Sequence, residues 1–359
     1  MLKDGFTVKT ENNTIERIEA TLRESISGVP FVELDQTQRE PDTSGSQTDL
    51  KAWLDLPDGE WILLLQFKSS GQPRIVRNAM PQIRRQVRQF PRAYGVFVAP
   101  YISPASAKVL AENNMGYLDL AGNCLLNFGT VYISKEGKTN PFTEKRDLRS
   151  LYAPKAARVI RVLLSNPTRI WRTKALADEA GVSLGQVANV KKLLEDREWL
   201  SKEREGLKLV KPEALLTEWV GEYSYRKNEI RQYYSLKTPS DFEADLTEVC
   251  LKENICYALT GFSGAARLAP FVRYQRAMAY VADERDQLAE LLDLKEVDSG
   301  ANVWLMTPYD EGVFYGSSKV DSACVAALVQ VYLDLQGLRG RGEEAAEYLL
   351  REVIKKEWC

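Results

Sequence analysis

The chain contains no histidine in 359 residues. That absence removes Ser-His-Asp and Cys-His triads, histidine-ligated zinc and imidazole acid-base steps. Any chemistry must fall to carboxylates, amides and lysines. Cysteine is scarce: Cys124, Cys250, Cys256, Cys324 and Cys359 are scattered and odd in number, with no CxxC pair. They read as reduced structural thiols. Long apolar runs are also missing. None approaches the roughly 20 residues that span a bilayer, and the start, MLKDGFTVKTENN, has no apolar core of a secretory signal. The expectation is a cytoplasmic protein with no membrane partner.

What is present is an ordinary globular composition, 44% hydrophobic and 27% charged, which predicts a chain folded throughout. Its length exceeds one comfortable core and implies two or three domains. The net charge is only -2, but it is unevenly spread. Trp61 to Tyr94 holds seven basic residues and no acidic one, and Lys155 to Lys211 holds thirteen basic against seven acidic. Two basic blocks therefore sit in an acidic remainder.

Along residues 1–145, Thr14 to Ser25 (TIERIEATLRES) has helical spacing, followed by a polar loop and a turn-rich stretch, Gln36 to Gln47. Strands are predicted at Asp49 to Leu56, Glu60 to Lys68 and Tyr94 to Ala99. A basic helix spans Arg77 to Phe90, another helix follows Ser103-Pro104, and short strands end the segment. This order fits an α/β layer with a mixed sheet. Polar residues with Pro141 mark a boundary within Gly137 to Arg149. Residues 152–212 read as three helices and a hairpin, and 213–240 as a helical connector. Residues 241–359 read as a second α/β domain with strands CYALT, AMAYVA and NVWLMT and closing helices at Ser322 to Leu338 and Glu343 to Lys356. The fold class expected is α/β multidomain.

Within 152–212, Asn166-Pro167 ends a first helix, Ile170-Trp171 suits a short strand, Thr173 suits the cap of a second helix, and Gly181-Val182-Ser183 suits a tight turn with a new N-cap. On the third helix, Val187, Val190 and Leu194 share one face. That leaves Gln186, Asn189 and Lys192 for a DNA groove, with Lys191 beside them, while Arg204 lies at the tip of the hairpin. The pattern is a winged helix-turn-helix for double-stranded DNA. A single such unit reads too short a site, so a homodimer or two copies on an inverted repeat is expected. Arg77, Arg84, Arg85 and Arg88 on the basic helix offer further phosphate contacts.

In the first domain, Asp49 on one strand and Gln66 and Lys68 on the next look like the PD-(D/E)XK nuclease pattern. In that superfamily such residues hold magnesium and a water, often with a glutamate from the first helix, here Glu19 or Glu16. Asp49 and Gln66 would be the metal ligands and Lys68 would stabilise charge at the scissile phosphate. Magnesium enters only with this reading; otherwise no cofactor is expected. The rival expectation is a nuclease-like domain that keeps DNA affinity without cutting. Asp119, in GYLDLAGN, is expected to form a turn.

The run PYISPASAKVLAENNMGYLDLAGNCLLNFGTVYI, the winged helix after it, and YALTGFSGAARLAPFVRYQRAMAYV together resemble the larger AbiEi-type proteins of bacterial type IV toxin-antitoxin systems. The resemblance implies a transcriptional regulator that represses its own operon and counters a nucleotidyltransferase-type toxin in phage defence. Shorter members carry the winged helix at the amino terminus, whereas about 150 residues precede it here. Thr260-Gly261-Phe262-Ser263-Gly264 before AMAYVA is also similar to a nucleotidyltransferase opening, but the strand has no carboxylate and Asp283-Glu284 comes late. A degenerate, nucleotidyltransferase-like domain is expected, with Gly261 and Gly264 serving backbone packing.

Overall fold

A computed structural model describes residues 4–39, 49–141, 151–269, 274–282 and 284–358. The chain is mixed α/β and divides into two compact units, residues 1–146 with 195–198, and residues 147–194 with 199–359. The turn-rich stretch 40–48, most of the boundary 142–150, Asp283 and Cys359 lie outside the described residues. No helix among the described residues is long and apolar enough to cross a membrane.

In the first unit the order is α1 (Asp4–Ile26), β1 (Glu33–Arg39), β2 (Leu50–Leu56), β3 (Gly59–Phe67), α2 (Pro73–Val87), β4 (Ala93–Ala99), α3 (Pro104–Glu112), β5 (Gly116–Asp119), β6 (Cys124–Phe128) and β7 (Val131–Lys135). The strands form one sheet in sequence order. β3, β4 and β5 run parallel, joined by α2 and α3, and the flanking pairs are antiparallel. α1 covers one face with Ile18, Leu22 and Ile26 against Leu63, Leu65 and Val96. α2 and α3 cover the other with Val76, Ile83, Val109 and Leu110 against Phe97 and Tyr117. Central strands buried on both faces read as continuous apolar runs, which is why β3 and β4 were legible.

β1 corrects the sequence expectation of a loop. ELDQTQR shows no apolar alternation because it is a largely exposed edge strand, held to β2 by backbone bonds with a register shift between Leu34 and Gln36. The basic helix begins earlier than expected, at Pro73, whose missing N–H is harmless at a first helical position. Asp119 is fully buried and makes the expected turn. Its carboxylate accepts from the N–H of Ile102 at 3.2 Å, the N–H of Asn123 at 2.8 Å and the Asn123 amide at 2.9 Å.

The second unit begins with α4 (Pro154–Ser165), α5 (Thr173–Glu179), α6 (Leu184–Asp196, its last two residues grouping with the first unit), β8 (Leu200–Glu203) and β9 (Gly206–Leu209). Then come α7 (Pro212–Glu222), β10 (Glu229–Tyr234), α8 (Pro239–Glu253), β11 (Tyr257–Leu259), α9 (Gly261–Leu268), β12 (Ala277–Val281), α10 (Arg285–Leu291), β13 (Lys295–Glu296), β14 (Val303–Thr307), β15 (Ser318–Val320), β16 (Ala323–Val325), α11 (Leu328–Gln336) and α12 (Arg341–Leu349). Its large sheet has the order β13-β10-β14-β12-β11-β16-β15, with β12–β14 and β11–β16 parallel.

Two expectations fail in this unit. The connector is α-helical only to Glu222, with a single 3-10 turn at Tyr225–Lys227, and residues 229–234 form β10, whose Tyr233 is buried between β13 and β14. The helix expected from Ser322 is instead a β15–β16 hairpin followed by α11. Asp321 and Ser322 turn the chain with φ of 48° and 71°, and the apolar run after them is divided between strand and helix.

At the centre of this unit the fully buried Asp334 on α11 accepts from Thr260 Oγ1 and Tyr223 OH, each at 2.5 Å, and from Tyr280 OH at 2.9 Å. The Gln330 amide donates to it at 3.1 Å, while Gln330 Oε1 accepts from Arg161 of α4 at 2.7 Å. Burial pushes the Asp334 carboxyl up, against the pull of its four hydrogen-bond donors. Gly261 (φ +51) and Gly264 pack as expected: a Cβ at Gly261 would meet Met278 Sδ at 2.7 Å, and one at Gly264 would meet Val331 at 2.8 Å.

Replacing Asp334 by Ala removes the acceptor shared by three hydroxyls and the Gln330 amide; Tyr223 and Tyr280 keep each other and Gln330, and each donor left unmet costs about 1–3 kcal/mol. Urea unfolding should therefore show a loss of about 3 kcal/mol or more. A raised carboxyl binds its proton more tightly in the fold than in the unfolded chain. Its contribution is complete below the ordinary carboxylate range and is lost as pH rises through the raised value. The stability of wild type minus that of Asp334→Asn should decline with pH across that window; a flat difference would count against this assignment.

Candidate nucleic-acid interface

The three helices and hairpin at residues 154–209 share a core. Val159, Val162 and Leu163 of α4, Leu176 and Ala177 of α5, Val187, Val190 and Leu194 of α6, and Leu207 and Leu209 of β9 are all buried. α4 ends at Asn166-Pro167, where Asn166 donates back to the Val162 carbonyl. Trp171 bridges antiparallel to Leu207, with N–H to carbonyl distances of 2.8 and 2.9 Å, so the chain between α4 and α5 adds a third rung to the hairpin. Gly206 permits this approach: a Cβ there would stand 2.3 Å from the Trp171 carbonyl oxygen.

Thr173 is not a cap. It is the first helical residue of α5, and Arg172 at the cap position makes no side-chain cap bond. Ser183 does cap α6, its hydroxyl accepting from the Gln186 N–H at 3.2 Å, after a turn in which Gly181 takes φ +61.

α6 buries Val187, Val190 and Leu194 and turns Gly185, Ala188, Asn189 and Lys192 to solvent. At 100° per residue those four stand opposite the buried three. Asn189 and Lys192 thus lie at the centre of the free face, while Gln186 and Lys191 are half-buried on its two flanks. Gly185 and Ala188 were not among the sequence-expected contact residues, although the 3.6-residue period contained the signal; Leu184, also exposed, was not expected either, and its flanking position gave no such signal. Arg204 is exposed at the hairpin tip between the exposed Glu203 and Glu205, with exposed Lys202 one residue further back. Arg172 and Lys174, around the start of α5, add exposed positive charge.

This module is fixed to the rest of its unit through α4. Arg158 forms a bidentate pair with Asp310 at 2.7–3.0 Å and reaches Glu311 at 2.7 Å. Burial raises the Asp310 carboxyl, but the Arg158 guanidinium and the Gly312 N–H outweigh it and hold it below the usual range. Arg161 is buried over the Trp219 ring at 5.0 Å and bonds Gln330. Trp358 Nε1 donates to the Leu164 carbonyl at 3.0 Å.

In the first unit, Arg77, Arg84, Arg85 and Arg88 all fall on the exposed side of α2, opposite Val76, Ala79, Met80 and Ile83. Arg77 pairs with Glu198, one of the four residues 195–198 that group with this unit, at 2.9 Å, and Arg84 donates to Asn113 Oδ1 at 2.5 Å. Arg85 and Arg88 are solvent-facing.

The sheet also brings Asp49, Gln66 and Lys68 together. Leu50 opposes Leu65, so Asp49 stands across from Gln66, and an Asp49 carboxylate oxygen accepts the Phe67 N–H at 2.7 Å. Gln66 is buried on the α2 face, where its amide donates to Gln82 Oε1 at 3.3 Å and its own Oε1 has no partner among the described residues. The helix glutamates are engaged elsewhere: Glu19 with Arg23 and Thr37, and Glu16 with Arg39. The apolar side of α1 covers the opposite sheet face. One carboxylate, an amide and a lysine fit magnesium poorly, because a hard cation takes several oxygen ligands. No group of three or more Cys, Asp or Glu among the described residues is placed to hold a metal.

Thr260 and Ser263, in the stretch similar to a nucleotidyltransferase opening, are committed to the core: Thr260 to Asp334, and Ser263 Oγ to the Met278 N–H at 2.8 Å. Every residue of β12 is buried.

Comparison with known proteins bears on the second unit. No curated protein and no solved structure matches the chain. Residues 153–255, covering the three helices, the hairpin and the chain through α8, match the family described as Firmicute plasmid replication protein (RepL). The AbiEi-like run that begins at Pro100 lies outside the second match, which starts within β9: residues 208–355 match the family described as transcriptional regulator, AbiEi antitoxin, type IV TA system.

Proposed function

We propose that the chain is a DNA-binding transcriptional regulator of the AbiEi kind, acting in the cytoplasm as the autorepressing antitoxin of a type IV toxin-antitoxin operon. Its α4–α6 and β8–β9 are a winged helix-turn-helix, with α6 as the helix that enters the major groove. The observation that carries this reading is the free face of α6, where Asn189 and Lys192 stand opposite three fully buried apolar residues in a module that ends in the β8–β9 hairpin. Asparagine can bond adenine with two hydrogen bonds, and lysine can reach guanine or phosphate. The antitoxin half of the proposal is supported by the match over residues 208–355; its toxin partner would be of the nucleotidyltransferase type. Two copies on an inverted repeat would set recognition helices about 34–36 Å apart or a multiple of that.

A second reading, magnesium-dependent cleavage by a PD-(D/E)XK-like first unit, has one observation in its favour: Asp49 stands across from Gln66 where β2 begins and β3 ends, with Lys68 two residues further on. The poor ligand set weighs against it. The basic side of α2 suits a nuclease-like domain that binds DNA without cutting.

Asn189→Ala is expected to cost about 1–3 kcal/mol in discrimination between the preferred sequence and random DNA, with Gln186→Ala costing less because of its flanking position. Competition titrations showing unchanged discrimination for both would remove α6 from the groove. Arg84→Ala with Arg88→Ala should weaken binding to all sequences alike and lower the log-log salt slope by roughly one unit per lost contact. Parallel salt titrations of equal affinity would leave α2 a solvated face. Supercoiled plasmid incubated with the protein and magnesium or manganese should stay intact; nicking that disappears in Lys68→Ala would establish the nuclease instead.

A further inference from the structure

Leu184, the first residue of α6, is 54% exposed, in a helix whose other large aliphatic residues are buried or half-buried. One turn on, at i+4, lies Ala188, which is also exposed. Residues four apart stack along one side of a helix, so Leu184 and Ala188 form a short apolar strip that runs from the Lys191 flank toward the free face, where Ala188 adjoins Lys192. Neither residue belongs to the core of the module, which closes on Val187, Val190 and Leu194. Exposing a leucine forgoes the stabilisation of burying it, and the residue before it is polar: the Ser183 hydroxyl caps the helix, and Lys155 and Asp178 line the same surface hollow as Ser183.

A surface of that kind fits one feature of duplex DNA. The major groove presents hydrogen-bonding edges throughout and a single apolar group, the C5-methyl of thymine. Exposed Lys192, one turn beyond Ala188, and the exposed Arg172 and Lys174 of the same module complement the phosphates that border that groove. Gly185, on the free face between Ala188 and Asn189, carries no side chain to hold the helix away from the bases.

We propose that Leu184, with Ala188, is a specificity-determining contact for thymine, packing against its C5-methyl while Asn189 reads a nearby adenine. The proposal rests on the DNA-binding reading above and goes further by fixing the chemistry of one half-site position. Thymine and uracil differ only in that methyl, so the contact can be removed from either partner.

The test uses the full-length chain and duplexes it selects from a random-sequence pool. Each thymine of a selected duplex is replaced singly by deoxyuridine, and affinities are measured for wild type, Leu184→Ala and Leu184→Met. Wild type should bind about fourfold more weakly when the methyl is missing at one position per half-site, the fold-change that one buried methyl-sized group supplies. Leu184→Ala should bind the thymine and uracil duplexes equally, and Leu184→Met should keep the preference. Indifference of wild type to every replacement, or an undiminished thymine preference in Leu184→Ala, overturns the proposal while leaving DNA binding intact. A pool that yields no enriched sequence overturns the DNA-binding reading and this inference with it.

Discussion

The second unit is organised around a carboxylate with no water to solvate it. Asp334 is fully buried, and its charge is tolerable only because hydroxyls from three separate segments and the Gln330 amide converge on it. Thr260 stands between β11 and α9, Tyr280 on β12 and Tyr223 after α7. A shift of any one leaves an unmet donor in a dry interior, so the network fixes how these elements pack. Gln330 passes the constraint onward, taking the Arg161 guanidinium on its other end. The helix that opens the proposed DNA-binding module is thereby seated on the same polar centre as the sheet.

In the proposed regulator this arrangement would give the carboxy-terminal sheet a structural role in recognition. A recognition helix reads bases only if its orientation is held against thermal motion. α4 is pinned at Arg158 by a bidentate carboxylate, at Arg161 by an amide and an indole face, and at Leu164 by Trp358. α6 packs on α4 through Val187, Val190 and Leu194 and inherits that orientation. Tyr315 reaches Glu179 at the end of α5 in the same way, at 2.9 Å.

The first unit has a different logic. Its parallel β3, β4 and β5 are sealed on both faces by apolar helix sides, and polar groups gather at strand ends, where Asp119 builds a turn and Asp49 caps the Phe67 N–H. Asp49, Gln66 and Lys68 coincide there because antiparallel pairing places the start of β2 beside the end of β3. Coincidence in space does not supply charge. With an amide where a nuclease would have a second carboxylate, the site has too few anionic oxygens for a divalent cation, and the arginines of α2 remain the feature of this unit that suits DNA.

The sequence alone determined whatever has a local cause. Proline and serine placed the starts of α3 and α6, continuous apolar runs located β3, β4, β12 and β14, and the spacing of Val187, Val190 and Leu194 settled which side of α6 is buried. Charge counts located both basic blocks, since charge needs no partner to be seen. What only the tertiary structure decided depends on partners distant in sequence. β1 is a strand because β2 offers backbone bonds, though its residues bury little; Glu229 to Tyr234 is a strand because β13 and β14 flank it; and Ser322 turns a hairpin in what reads as the start of a helix. The same holds for function: periodicity exposed Asn189 and Lys192, but the free leucine at 184 became visible only once the core was seen to close without it. Asp334 looks like an ordinary helix acid until the fold surrounds it, because burial is a property of the whole chain and not of the residue.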